Sequence, residues 1–113
     1  MEKLFLFFVT ILTYHSLFSQ NTINQDNPDQ LFLTGIELLD KEKYGAARHS
    51  FERYLEENNH DDNKAIEASY YIAYSALRLY HADGEKLVEN FIHNNEGHPK
   101  ALQAYYEMGN FYF

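Results

Sequence analysis

Apolar residues fall at helical spacing in five runs, each closed by a polar break. The first run carries Leu31, Gly35, Leu38 and Leu39. Asn27-Pro28-Asp29 precedes it with a capping side chain, a proline suited to the first helical position and an acid near the positive end of the dipole. These signals predict a helix over 28–41. Lys41-Glu42-Lys43 is a short turn, and Tyr44, Ala47, Phe51, Tyr54 and Leu55 form the stripe of a second helix ending near Asn58. Residues 58–63 contain nothing apolar, so a third helix is predicted to start at their end. It runs through Ala65, Ala68, Ile72, Ala76 and Leu79 to Tyr80. Asp83 is expected to cap a fourth helix carrying Leu87, Val88, Phe91 and Ile92, which Asn94-Asn95-Glu96-Gly97 interrupts. Pro99 opens a fifth that reaches Phe113 with no stop signal. No stretch alternates as a strand would, so the fold class is all-α.

The runs are copies of one another. Ala65, Ala68, Tyr70, Ile72, Ala73 and Ala76 are answered 36 residues later by Ala101, Ala104, Tyr106, Met108, Gly109 and Tyr112. Ala47, Phe51, Tyr54 and Leu55 are answered 37 residues later by Gly84, Val88, Phe91 and Ile92. A fixed period of this size marks stacked helical units, none able to bury its apolar face alone. Small residues take the same place in each unit: Gly35, Ala73 and Gly109 in the first helices, Ala47 and Gly84 in the second. A small side chain lets a neighbouring helix approach closely, while Phe32, Tyr70 and Tyr106, each three residues before the small position, supply the bulk beside it. Glycine inside a helix costs about 1 kcal/mol against alanine, so its recurrence implies a steric need.

At these residues the chain resembles the tetratricopeptide repeats, a family of antiparallel helix pairs of about 34 residues with an Ala-x3-Phe step in the second helix. Leu31-Phe32-Leu33-Thr34-Gly35-Ile36-Glu37-Leu38 with Tyr44, Ala47 and Phe51 matches that pattern. The second unit, with Ala73, Gly84 and Val88, matches less closely, and the third has a first helix only. The chain departs from the pattern at Leu31, where the family has tryptophan, and at Asn59, where it has proline. The resemblance implies a short right-handed α-solenoid of about two and a half units, over 28–60, 61–97 and an incomplete 98–113. It further implies a concave face, lined by first helices, that binds an extended peptide or a partner helix. Phe32, Ile36, Tyr70, Tyr74, Tyr106 and Asn110 are the residues expected there. The longer loops around Asn59 and Asn95 are similar to those of bacterial envelope members of the family.

Met1-Glu2-Lys3 followed by Leu4 to Leu12 and a small residue at Ser19 has the layout of a secretory signal peptide. As a helix that apolar run reaches only ~14 Å, too short to span a bilayer. The expected organisation is a signal peptide over 1–19, cut after Ser19 or Gln20, a polar linker over 20–27, and the repeats. With no cysteine in the chain there is neither a disulfide nor a lipid-acceptor thiol. Export would therefore place the protein in the periplasm or cell envelope of a Gram-negative-type bacterium, with no membrane span after cleavage.

Composition narrows the partners. The net charge is −8, and only Glu2 and Lys3 carry charge within 1–19, so the acidity survives processing. Such a surface repels phosphate backbones and anionic headgroups, which argues against nucleic acid and membrane surfaces. Residue patterns for catalysis are absent. His93 and His98 flank Gly97, and His60 adjoins Asp61 and Asp62, but neither has the spacing of a helical metal-ligand pair. Glu52, Glu56 and Glu57 lie on a solvated helix face, and Ser50, Ser69 and Ser75 lack the glycine elbow of a hydrolase. No enzyme activity, metal or cofactor is expected. The leading expectation is a non-catalytic envelope scaffold that binds a protein or peptide, such as an envelope assembly component. The alternative is the N-terminal helical module of a larger exported enzyme or receptor. The aromatic end of the fifth helix, Phe111-Tyr112-Phe113, is expected either to continue into further repeats or to dock on a partner or a second copy.

Overall fold

A computed structural model describes residues 27–57 and 61–113. The signal peptide expected over 1–19, most of the linker, and Asn58, Asn59 and His60 lie outside the described residues. Five helices follow in order: α1 (Pro28–Asp40), α2 (Tyr44–Glu56), α3 (Asp62–Arg78), α4 (Gly84–Asn94) and α5 (Pro99–Tyr112). Each packs on the next in the chain, and α3 also touches α5. Among the described residues there is no strand, and no helix is long and apolar enough to cross a membrane.

The caps explain three of the starts. Asn27 Oδ1 accepts from the Asp29 amide at 3.2 Å, with Pro28 behind it. Asp61 Oδ1 accepts from the amides of Asn63 and Lys64 at 2.9 and 3.2 Å. His98 Nδ1 accepts from Lys100 at 3.1 Å, immediately before Pro99. Each satisfies a donor that a helix start leaves without an intrahelical partner.

Two of the ends were not written in glycine. Glu42 and Tyr80 both sit at φ 56°, in the left-handed region, one residue past the C-cap. After α1, the Lys43 amide bonds Leu38 O and the Glu42 amide bonds Leu39 O; after α3, His81 bonds Ala76 O and Tyr80 bonds Leu77 O. This is the Schellman pairing, made twice at equivalent places by residues that carry a Cβ. The third helix therefore stops at Arg78, short of the expected Tyr80.

Asp83 does not cap α4. Its side chain makes no capping bond, because Arg48 of α2 holds it through two bonds, Nη1–Oδ1 at 3.0 Å and Nη2–Oδ2 at 2.8 Å. Arg48 also bonds Glu52 at 2.7 Å and meets His81 Nδ1 at 2.9 Å. The carboxylate thus ties the first hairpin to the turn before α4. A bidentate charged pair outcompetes a single capping bond for the same oxygens.

The core has two lobes with α3 between them. Leu31 and Phe32 from α1, Ala47, Phe51 and Tyr54 from α2, and Ala68 and Ile72 from α3 bury together. On its other side α3 presents Tyr70, Ala73 and Leu77 to Val88 and Phe91 of α4 and to Ala101 and Ala104 of α5. Gly35 is where the small-residue rule is strictest: a Cβ there would lie 2.6–2.8 Å from three atoms of the Phe51 ring. That ring is fully buried, edge-on to Phe32 at 5.6 Å and stacked on Tyr71 at 5.1 Å, so it has nowhere to go. A Cβ at Gly84 would come within 3.0–3.1 Å of the α3 backbone at Ala76 and Leu77. Gly109 departs from the expectation. A Cβ there meets nothing within 4 Å, because no described helix follows α5 to seat a side chain over it.

Two outcomes follow for stability. Gly35→Ala should destabilise by ~1–3 kcal/mol through overpacking, while Gly109→Ala, at the equivalent position, should stabilise by up to ~1 kcal/mol through helix propensity. Thermal melts giving both variants the same sign would contradict this packing. The Arg48 guanidinium holds the Asp83 carboxyl below its usual range. Its contribution is therefore complete above about pH 4 and is lost as the pH falls through the lowered folded value. Asp83 is half exposed, so Asp83→Asn should cost only ~0.5 kcal/mol at pH 7, and the difference from the parent should shrink to nothing as the pH falls through the lowered folded value. A difference that persists at low pH would mean that the side chain acts otherwise than by charge.

Candidate interaction groove

Side by side, α1, α3 and α5 enclose a cleft of about 290 Å³. Ile36, Leu39 and Asp40 line it from α1, Tyr70, Tyr71 and Tyr74 from α3, and Lys100, Gln103 and Glu107 from α5. Residues at i, i+1 and i+4 on α3 give one continuous tyrosine row. The rings of Tyr70 and Tyr74 stack at 6.0 Å, and Tyr44 of α2 meets Tyr74 edge-on at 6.0 Å.

Lys100 is the charged centre of the row. Its ammonium lies 4.8 Å from the Tyr70 ring centroid and 5.0 Å from that of Tyr71, within cation–π range. It also donates to Gln103 Oε1 at 3.2 Å and, at 3.4 Å, to the Tyr71 hydroxyl. Tyr71 therefore links the two parts of the molecule: one end of its side chain stacks on Phe51 in the core and the other reaches the cleft lysine. Sequence reasoning missed Tyr71. It falls between the two stripes of α3, and helical spacing gives such a position no assignment to either.

Burial pushes the Tyr70 phenol far up, with the nearby Glu107 charge adding to it. Tyr74 is raised chiefly by burial, then by Tyr44. Both hydroxyls therefore remain protonated through the neutral range and can donate and accept hydrogen bonds without exchanging protons. Such a surface suits amides, hydroxyls and flat apolar groups better than it suits acid–base chemistry. Among the described residues, no group of three or more His, Asp or Glu side chains is placed to hold a metal ion.

Of the six residues expected in a groove, Ile36, Tyr70 and Tyr74 line this cleft. Asn110 lines a smaller one of about 70 Å³ beside it, which shares Tyr74 and Glu107. Phe32 does not reach either. It is 8% exposed and packs edge-on against Phe51 and Tyr54, because it belongs to the face of α1 that α2 covers. Tyr106 is 67% exposed and lines neither cleft, sharing a helix face with Gly109 instead. Gly35, Ala47, Phe51, Ala73, Gly84 and Val88 are all buried at helix contacts. Comparison with protein-family models, curated proteins and solved structures returns no match for this chain.

Proposed function

We propose that this chain is a non-catalytic scaffold of the bacterial cell envelope, built as a short right-handed solenoid of tetratricopeptide-like hairpins. An extended peptide or partner helix lies in the cleft between α1, α3 and α5. The observation that carries this reading is the cleft itself. Three helices equivalent by repeat converge on it, and its lining combines stacked tyrosines with one lysine and two acids. Protonated phenols and the Gln103 amide offer hydrogen bonds to a peptide backbone, and Ile36 and Tyr74 offer apolar contact. Acidic overall charge favours a protein or peptide ligand over nucleic acid.

Affinity capture from an envelope extract tests this reading. The wild-type protein should retain a partner that Tyr74→Ala combined with Gln103→Ala loses by about tenfold or more, with helicity unchanged in circular dichroism. Equal retention by the variant would remove the cleft from the proposal. Export has its own check: protein recovered from the periplasm should begin at Gln20 or Asn21 by mass spectrometry. Full-length chain retained in the membrane fraction would contradict cleavage.

A further inference from the structure

Two lysines hold the same place in successive units, 36 residues apart, and they are partnered differently. Lys64, at the start of α3, lies 5.8 Å from the Phe32 ring centroid and donates to Asp29 Oδ1 at 2.9 Å. Lys100, at the start of α5, lies over Tyr70, which stands in its own unit where Phe32 stands in the first. In the first unit the arrangement is therefore ring, ammonium and carboxylate. At Lys100 the ring is present and the carboxylate is not: among the described residues this lysine joins no ion pair. Glu67 stands in α3 where Asp29 stands in α1, yet the ammonium is turned instead to the tyrosine row and Gln103.

The groups around Lys100 are set to donate. Its ammonium gives hydrogen bonds to the Tyr71 hydroxyl oxygen and to Gln103 Oε1. Each of these acceptors carries a donor of its own, the phenolic O–H and the Nε2 amide, and no hydrogen bond among the described residues uses either. Three donors thus stand together with their acceptor sides already engaged, which is the arrangement an oxyanion accepts from. The first turn of α5 adds the positive end of its dipole at the same point. Glu107 lies seven residues further along α5, about 10 Å away along the axis, and neither it nor Asp40 is bonded to the lysine.

We propose that the cleft selects its peptide by a carboxylate, an Asp or Glu side chain or the peptide's own C-terminus, seated on Lys100, the Tyr71 hydroxyl and the Gln103 amide. This rests on the reading of the cleft as a peptide site and adds the chemistry by which the ligand is chosen. The ligand's carboxylate takes at Lys100 the role that Asp29 has at Lys64. Lys100 is partly buried, so a charge-assisted bond made there is screened less than one on the open surface. Tyr71 acts as a positioning residue: its ring is fixed on Phe51, and its hydroxyl holds the ammonium toward the cleft. The chain carries a net charge of −8, so its overall field opposes an acidic ligand. A preference for one has to arise locally.

The probe is a mixed-sequence octapeptide pool passed over the immobilised protein, with retained peptides quantified by mass spectrometry. It is made in three forms: acidic residues included and the C-terminus amidated, acidic residues excluded and the C-terminus free, and acidic residues excluded and the C-terminus amidated. One of the first two should be retained at least about tenfold over the third, and which one it is assigns the carboxylate to a side chain or to the terminus. Lys100→Gln should abolish that preference while retaining the third form at the parental level. Tyr71→Phe keeps the ring on Phe51 and should weaken the preference by about threefold; it also serves as the test should circular dichroism find Lys100→Gln unfolded. Equal retention of the three forms, or a preference that both variants keep, overturns the proposal and leaves the cleft a peptide site. Retention of no form at all removes the peptide site itself, and this proposal with it.

Discussion

The Phe51 ring lies where a side chain at position 35 would have to be, and the rest of the first hairpin is arranged around that substitution of ring for Cβ. Because Gly35 has no side chain, α2 can sink Phe51 against α1 and bring Phe32 and Tyr54 edge-on to one another at 5.3 Å. Ser50 then reaches across to donate to Leu31 O at 2.7 Å, so a buried hydroxyl is satisfied by the same close approach. The cost of a helical glycine, about 1 kcal/mol, is small beside the ~3–5 kcal/mol associated with a fully buried phenylalanine. Glycine wins because the ring has no alternative seat.

From there the constraint propagates through α3. Its Ala68 and Ile72 close the first lobe, and its Tyr70, Ala73 and Leu77 open the second. A helix buried on two faces cannot shift toward one neighbour without opening a gap at the other, so α3 sets the spacing of α1 and α5 on either side. That spacing is what creates the cleft. Tyr71 carries the connection in one side chain, its ring on Phe51 and its hydroxyl near Lys100. The same reasoning makes α5 the exposed member of the series: it has the first of the two faces covered and the second uncovered.

Periodicity made the five helices and most of their small-residue contacts legible, because both depend on spacing alone. Local capping chemistry placed the starts of α1 and α5 at Asn27 and Pro99, and that of α3 within the polar stretch that holds Asp61. What sequence reasoning missed depends on competition between partners in space. Asp83 reads as a cap until Arg48, 35 residues away in sequence, takes both of its oxygens. Glu42 and Tyr80 hold left-handed turns that glycine normally signals, since the two backbone bonds at each end offset the strain. Phe32 and Ile36 are one turn apart on α1, and only the angle at which α2 arrives decides that the first is core and the second lines the cleft. Gly109 keeps the repeat pattern, but among the described residues no helix packs over it.

A double-mutant cycle between positions 35 and 51 tests the seating of ring on glycine most directly. Gly35→Ala and Phe51→Leu are each measured by chemical denaturation, and then together. If the ring occupies the space of the missing side chain, the smaller leucine should relieve much of the strain that the added methyl imposes. The pair should then be less destabilised than the sum of its members by about 1 kcal/mol or more. Additivity within about 0.5 kcal/mol would show that the two positions do not compete for one space, and the stacking built on that contact would have to be redrawn.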